Sequence, residues 1–398
     1  MQMKLARRMS ELKASEVREI LKVTERPEVI SFAGGLPAPE LFPVDEIKKV
    51  IELVLDEAGP RALQYAITEG NPPLRKWVAE RLNRQYGLSL DIDNVLLTSG
   101  SQQCLDLAGK LFLDEGDLVL CESPTYLAAI SAFRAYGCRF LEIETDDDGM
   151  VPESLERALK ENDRARLIYA IPDFQNPSGR TWSLSRRKAL AELAGRYQVA
   201  VVEDNPYGEL RFEGEHLPAV KSFDKDGCVL YCGTFSKIFC PGYRIAWVAG
   251  EADIINKFVM AKQATDIQCN TLAQMSLAKY VEMYDIDAHI ERIRAVYKKR
   301  RDLLLQTMDE CFPQSVRFTR PQGGLFTWVE LPEGLNARDL LVECLKLDVA
   351  FVPGGAFFPV EPRENTLRMN FSNMPEERII EGVTRMATKL PGRARAQL

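Results

Sequence analysis

Between residues 46 and 285, short β-rich apolar runs alternate with stretches of helical period, and this alternation restricts the fold more than any other feature of the chain. The runs are Val95–Thr98, Leu118–Glu122, Phe140–Ile143, Leu167–Ile171, Val199–Glu203, Val229–Cys232 and Ile245–Ala249. Helix-like stretches between them include Gln102–Leu113, Tyr126–Tyr136, Pro152–Lys160 and Leu184–Tyr197. A strand that is apolar throughout is covered on both faces, so the pattern predicts an α/β domain with a mostly parallel mixed sheet covered by helices. In such a sheet, ligands sit beyond the carboxyl ends of the strands.

From Ile286 to Met308 a long helical stretch leads into a different rhythm. Strand-like Gly324–Glu330, a helix near Ala337–Lys346, strand-like Ala350–Val352, a strand at Thr366–Phe371 and a final helix from Pro375 predict a smaller α+β domain. The division expected is therefore 1–45, 46–285 and 286–398, and 398 residues exceed what one hydrophobic core usually fills. The first segment ends in the Gly- and Pro-rich SFAGGLPAPELFP, which reads as an arm or gate and not as core structure. Its first twenty residues read as an amphipathic helix without the apolar centre of a signal peptide.

A formal net charge of −7 leaves no excess of Lys and Arg to neutralise a nucleic acid, so none is expected as a partner. No apolar run is long enough to span a bilayer, and a cytoplasmic address without membrane attachment is expected. Nine cysteines form no CxxC pair and lie in apolar segments, which suits reduced, buried thiols. Cys228 and Cys232 have neither histidine, His216 or His289, near them in sequence, so no metal site is expected.

What stands just past the runs matters most. After Val95–Thr98 comes Ser99-Gly100-Ser101-Gln102-Gln103, small residues opening a helix, where free N–H groups can seat a phosphate or merely be capped. After Leu118–Glu122 comes Ser123-Pro124-Thr125-Tyr126, an aromatic ring at the same mouth. Past Leu167–Ile171 lies Asp173 and then Asn176-Pro177-Ser178-Gly179, whose turn preferences alone explain it. Past Val199–Glu203 stands Asp204, a carboxylate that is costly to bury without a cationic partner, followed by Tyr207. Past Val229–Cys232 come Thr234, Ser236 and Lys237, with Arg244 close behind. Most lysines are solvated surface charges, but Lys237 lies among Phe235, Ile238 and Phe239, where desolvation lowers an amine pKa and makes it nucleophilic. Two hydroxyls and an arginine beside it suit a dianionic phosphate. Each strand end alone is ordinary; five in succession point to one ligand site.

In order along the chain, SFAGGLPAPELFP, LQYAITEGNPPLR, TSGSQQ, ESPTY, QNPSG, VVEDNPY, GTFSKIFCPGYRIAWV, PGGAFF and LRMNFS are similar to the motifs of fold-type I pyridoxal-5′-phosphate (PLP) aminotransferases, class I/II. The chain most resembles the 2-aminoadipate/kynurenine aminotransferase group. The resemblance implies that 46–285 is the PLP-binding domain and that Lys237 carries the cofactor as a Schiff base and shuttles the substrate proton. It implies further that Asp204 pairs with the pyridinium nitrogen, Tyr207 and Asn176 bond the ring's O3′, and Tyr126 stacks on the ring. Ser101, Gln102, Thr234, Ser236 and Arg244 are implied to hold the phosphate, with Tyr65 donated across a homodimer interface. Arg368, helped by Asn176 and by the backbone at Gly35, is implied to hold the substrate α-carboxylate. The wording departs from the family at Asn71, where a bulkier residue often stands.

The activity so implied is exchange of an amino group between an L-amino acid (aromatic, aliphatic or 2-aminoadipate-like) and a 2-oxo acid such as 2-oxoglutarate. A β-lyase on the same scaffold is an alternative. An aminotransferase-like ligand-sensing regulator is less favoured, because no basic recognition helix is readable in residues 1–30.

Overall fold

The computed structural model describes residues 3, 6, 7 and 26–392. Apart from those three positions, the helix expected over the first twenty residues lies outside the described residues.

In chain order the strands are β1 (Ile30–Ser31), β2 (Val95–Thr98), β3 (Leu118–Glu122), β4 (Arg139–Ile143), the hairpin β5 (Thr145–Asp146) and β6 (Gly149–Met150), β7 (Ala165–Ala170), β8 (Ala200–Asp204), β9 (Val229–Thr234) and β10 (Ala246–Ala249). Then follow β11 (Arg317–Phe318), β12 (Phe326–Glu330), β13 (Val349–Ala350), β14 (Val352–Pro353) and β15 (Thr366–Asn370). Seven of them form one sheet in the order β2-β10-β9-β8-β7-β3-β4, in which β10 alone runs antiparallel to its neighbours. The mixed, mostly parallel sheet read from the sequence is therefore present.

Alternation along β7 shows why its run is apolar throughout. Leu167 and Tyr169 pack into one hydrophobic cluster, while Ile168 and Ala170 face a second cluster on the sheet's other side. Residues from β8 and β9 divide the same way, Val202 and Leu230 against Val201 and Val229. Helices such as Ser101–Phe112 and Leu184–Tyr197 cover these faces. Among the described residues, no helix is long and apolar enough to cross a membrane.

The second sheet, β11-β12-β15-β14, is antiparallel throughout, and beside it the helices Ile286–Cys311 and Glu376–Ala387 pack on each other. Two expectations need correction here. Ala350–Val352 is not one strand: Val349–Ala350 pairs parallel with β1, whereas Val352–Pro353 pairs antiparallel with β15. The chain changes sheets at Phe351, which is fully buried, and an apolar run cannot reveal such a change.

The second correction concerns the segment ending in SFAGGLPAPELFP, which is partly core. Ile30, Phe32, Ala33 and Ala38 are fully buried, and Ile30 and Phe32 belong to the main hydrophobic cluster. Its backbone is satisfied by the C-terminal region. Ile30 donates to the Asp348 carbonyl, Phe32 to Ala350, and Ala38 to the Tyr297 hydroxyl, while Asn370 donates to Phe32. Gly and Pro signal irregular backbone, not exposure, and here the irregular backbone finds partners inside.

All nine cysteines are free thiols; Cys104, Cys121, Cys232, Cys240, Cys269 and Cys344 are buried, the others half-buried.

Candidate active site

Beyond the carboxyl ends of the parallel strands lies a cavity of about 350 Å³. The turn after β9 begins with Thr234, whose hydroxyl accepts from the Ser236 N–H (3.1 Å) and donates to Ser236 Oγ (3.0 Å). This small hydroxyl turn aims the half-buried Lys237 into the cavity, where Nζ donates to the Gly35 carbonyl at 2.7 Å. Burial, with the charges of Arg368 and Arg244 adding to it, pulls the Lys237 amine down to about 8. Near neutral pH a usable fraction is then unprotonated.

Asp204 ends β8 and is buried. Its Oδ2 accepts from the Tyr169 hydroxyl at 2.7 Å, whereas its Oδ1 is buried with no partner. Burial pushes the carboxyl up to about 6, and the tyrosine's hydrogen bond pulls the other way. The sequence calls for a cationic partner here, yet among the described residues none forms an ion pair with Asp204. A buried acceptor left open is costly unless a ligand donor completes it.

Arg368 lies on β15 and is equally buried. Its Nη1 donates to Asn176 Oδ1 and its Nη2 to the Ala33 carbonyl, both at 2.7 Å, while Nε has no partner. The guanidinium sits 4.2 Å from the Phe326 ring centroid and 5.1 Å from that of Phe357, a cation–π seat. Burial lowers its pKa to about 10, so it remains charged at neutral pH. Asn176 Nδ2 in turn donates to the Tyr207 hydroxyl at 3.3 Å, and burial raises that phenol's pKa. Tyr126 lines the wall at the start of helix Leu127–Arg134, and burial raises its phenol too.

At the other end, Ser101 and Gln102 open helix Ser101–Phe112. Its N-cap, Gly100 at φ 82°, offers no side-chain cap. A Cβ on Gly100 would come 2.0 Å from Arg244 Nη2, so only glycine lets the guanidinium lie over the turn. The cavity thus joins Lys237, Arg244 and Arg368 to a single carboxylate, Asp204. Uncapped N–H groups, two hydroxyls and Arg244 fit a phosphate, and the open Asp204 Oδ1 fits a protonated ring nitrogen.

Every residue to which the resemblance gives a cofactor or substrate role lines this cavity except Tyr65, which is 80% exposed and lies outside its own chain's site. Asn71 does not line it either; its side chain caps helix Pro72–Tyr86 by accepting from the Leu74 N–H at 3.1 Å. Two contributors escaped the sequence reading. Tyr169 sits on the same face of the sheet as Asp204, because Tyr169 pairs with Val202 across β7 and β8. A tyrosine inside an apolar strand needs a partner for its hydroxyl, and that was the available signal. Phe326, which faces both Arg368 and Tyr207 (5.8 Å between ring centroids), gave none.

A larger cleft of about 610 Å³ lies along Asp147, Arg180, Arg317, Arg320 and Glu330. Its charges pair within the chain, Arg180 with Asp147, Arg317 with Glu330 and Arg320 with Asp309, so no group there awaits a ligand.

Comparison with known proteins places nearly the whole chain among aminotransferases. Aromatic-amino-acid aminotransferase 1 of Thermococcus litoralis is 47% identical over 94% of this chain and 91% of its own length. The 2-aminoadipate transaminase of Thermus thermophilus is 43% identical over 96% and 95%. A crystal structure of Pyrococcus horikoshii kynurenine aminotransferase in complex with PMP superposes with a TM-score of 0.92 at 43% identity, covering 97% of this chain and 96% of that one. The family model for aminotransferase class I and II matches residues 34–386, and the chain belongs to that family.

Proposed function

We propose that this aminotransferase, with pyridoxal 5′-phosphate as its cofactor, moves the amino group between an L-amino acid and a 2-oxo acid such as 2-oxoglutarate. The donor is aromatic, aliphatic or 2-aminoadipate-like, in keeping with the relatives' names. The observation that carries the reading is one cavity that holds an open buried carboxylate oxygen, a buried arginine lacking a carboxylate and a lysine of depressed pKa.

When bound, the cofactor supplies an aldehyde that an amine can capture and a ring that accepts electrons from the substrate Cα. Lys237 supplies the amine and, when free, takes and returns the proton at Cα. Asp204 would keep the ring nitrogen protonated through Oδ1, with Tyr169 fixing the carboxylate from behind. Asn176 and Tyr207 would bond the ring's O3′, and Tyr126 would cover its face. Ser101, Gln102, Thr234, Ser236 and Arg244 would hold the phosphate. Arg368, steadied by Asn176 and the Ala33 carbonyl, would grip the substrate α-carboxylate, and Gly35 would close over it.

The working unit in this reading is a homodimer. Tyr65 would complete the partner's phosphate site, consistent with its exposure and that of Leu63 (73%) and Ile67 (50%) beside it. The division at residues 45 and 285 and a cytoplasmic address, which suits nine free thiols, belong to the same proposal.

The test is a panel of aromatic, aliphatic and 2-aminoadipate donors with 2-oxoglutarate, following glutamate formed by protein that shows the visible band of bound cofactor. Glutamate from at least one class is expected. Loaded protein that forms none with any donor would overturn the reading.

A further inference from the structure

Behind the loop that follows β2, four residues close a ring of hydrogen bonds, Ser99 through both its backbone N–H and its hydroxyl. The Ser99 N–H donates to Gln103 Oε1 (2.9 Å), and Lys262 Nζ donates to the same oxygen (2.8 Å). Lys262 Nζ also donates to Asp266 Oδ1 (2.7 Å), and Ser99 Oγ donates to Asp266 Oδ2 (3.0 Å). The ring ties the start of helix Ser101–Phe112 to the end of helix Ala252–Gln263. Lys262 is fully buried, which is rare for a lysine, and it does not line the cavity. Its partner Asp266 is exposed, so a lysine has been drawn fully inside to meet a carboxylate at the surface, and that placement invites a reason beyond packing.

That reason lies on the other side of Ser99. Its carbonyl accepts from Arg244 Nη2 at 3.5 Å, and the same guanidinium lies over Gly100. Ser99 and Gly100 therefore carry the arginine and the first helical turn on one side and the ring on the other. We propose that Lys262 is a positioning residue for the cofactor phosphate. Through Gln103 and Asp266 it fixes Ser99–Gly100, and with them the directions in which Arg244, Ser101 and Gln102 present their donors. This rests on the phosphate assignment proposed above.

The experiment compares the affinities of the cofactor-free protein for pyridoxal 5′-phosphate and for pyridoxal, which lacks the phosphate. A general loss of packing weakens both; a misplaced phosphate site weakens only the first. Lys262→Met is expected to lower the ratio of the two affinities about tenfold or more, since it removes a charged donor from two partners. Ser99→Ala, which at a half-buried position deletes the hydroxyl's contacts with Asp266 and, at 3.6 Å, with Cys269 Sγ, is expected to lower it about 3- to 10-fold. Arg244→Ala is the reference. If it lowers the ratio and neither of the others does, Lys262 has no positioning role and the phosphate assignment stands. If Arg244→Ala itself leaves the ratio unchanged, the phosphate assignment falls and this inference with it. Should Lys262→Met not fold, Ser99→Ala decides alone, and an unchanged ratio there overturns the proposal.

Discussion

Two buried charge clusters lie within a few residues of one another, and they are built to opposite rules. In the first, both oxygens of Asp173 are taken. Arg187 reaches them at 2.8 and 3.0 Å, Arg211 adds a contact at 3.3 Å and Asn205 one at 3.0 Å. Burial would raise the Asp173 carboxyl, but Arg187 and Arg211 outweigh it and hold it below the usual carboxylate range. In the second cluster, Asp204 keeps a bare oxygen, Arg368 has no carboxylate partner among the described residues, and the amine of Lys237 meets only a carbonyl. In the first cluster the carboxylate is fully met without a ligand, and only Arg211 Nε is left open. The second is complete only with a ligand, so burial that stabilises the fold in one place is held in reserve for binding in the other.

The sharpest way to break the comparison is to exchange the consequences. Lys237→Ala should reduce glutamate formation by about 10³-fold or more, because both the capturing amine and the proton carrier are lost. It should leave the cofactor-free protein as stable as before or slightly more so. Asp173→Ala should do the reverse. Two buried guanidinium groups would be left without their carboxylate, a loss of about 3–5 kcal/mol in unfolding free energy. Parallel denaturant titrations and activity assays check both. If Lys237→Ala unfolds as easily as Asp173→Ala, the two clusters do not differ in kind.

The contrast was not legible in the sequence, and the reason is physical. Asp173 and Asp204 each follow an apolar strand, and each stands beside turn-forming residues. What separates them is whether a distant arginine arrives. Arg187 comes to Asp173 from helix Leu184–Tyr197 and Arg211 from an isolated bridge with Gly323, and no local pattern announces that. The strands were legible because a strand buried on both faces must be apolar throughout, and their bounds came out within two residues. The convergence of Lys237, Asp204 and Arg244 was legible because parallel strands bring all their carboxyl ends to one edge. Tyr169 was hidden because its partner depends on register, and Phe351 because an apolar residue fits either of two sheets.

Arg368→Met gives a smaller effect and sharpens the comparison from the binding side. Loss of the guanidinium should raise the amino-acid KM by an amount worth about 2–5 kcal/mol, because the substrate carboxylate would be buried without its charged partner. Methionine keeps contact with Phe326 and Phe357, and the cofactor-free fold should be unharmed or gain as much as about 1–4 kcal/mol from losing an unpaired charge. The KM and the denaturant midpoint are measured on the same preparation. An unchanged KM would place the carboxylate elsewhere, and a midpoint that drops as far as that of Asp173→Ala would make Arg368 a structural residue.

The smallest effect is a pH dependence that only the open cluster should show. Lys237 has its folded pKa lowered to about 8 from an ordinary 10.5, chiefly by burial. Between those two values the unfolded chain holds a proton on this lysine that the folded protein has released, so stability rises with pH across that window. Below about 8 both states are protonated and the folded protein bears the full cost of the buried ammonium; above about 10.5 neither is, and the cost is gone. Replacing Lys237 with Met in cofactor-free protein should therefore stabilise it most at neutral pH, and the advantage over the unmutated protein should shrink steadily as the pH climbs through the window. Urea unfolding of the two proteins side by side removes the contribution of every other titrating group, since those are shared. A difference that stays flat, or that grows with pH, would mean the amine is already solvated or paired in the folded chain, and the cavity would then lack the unspent lysine that distinguishes it from the cluster at Asp173.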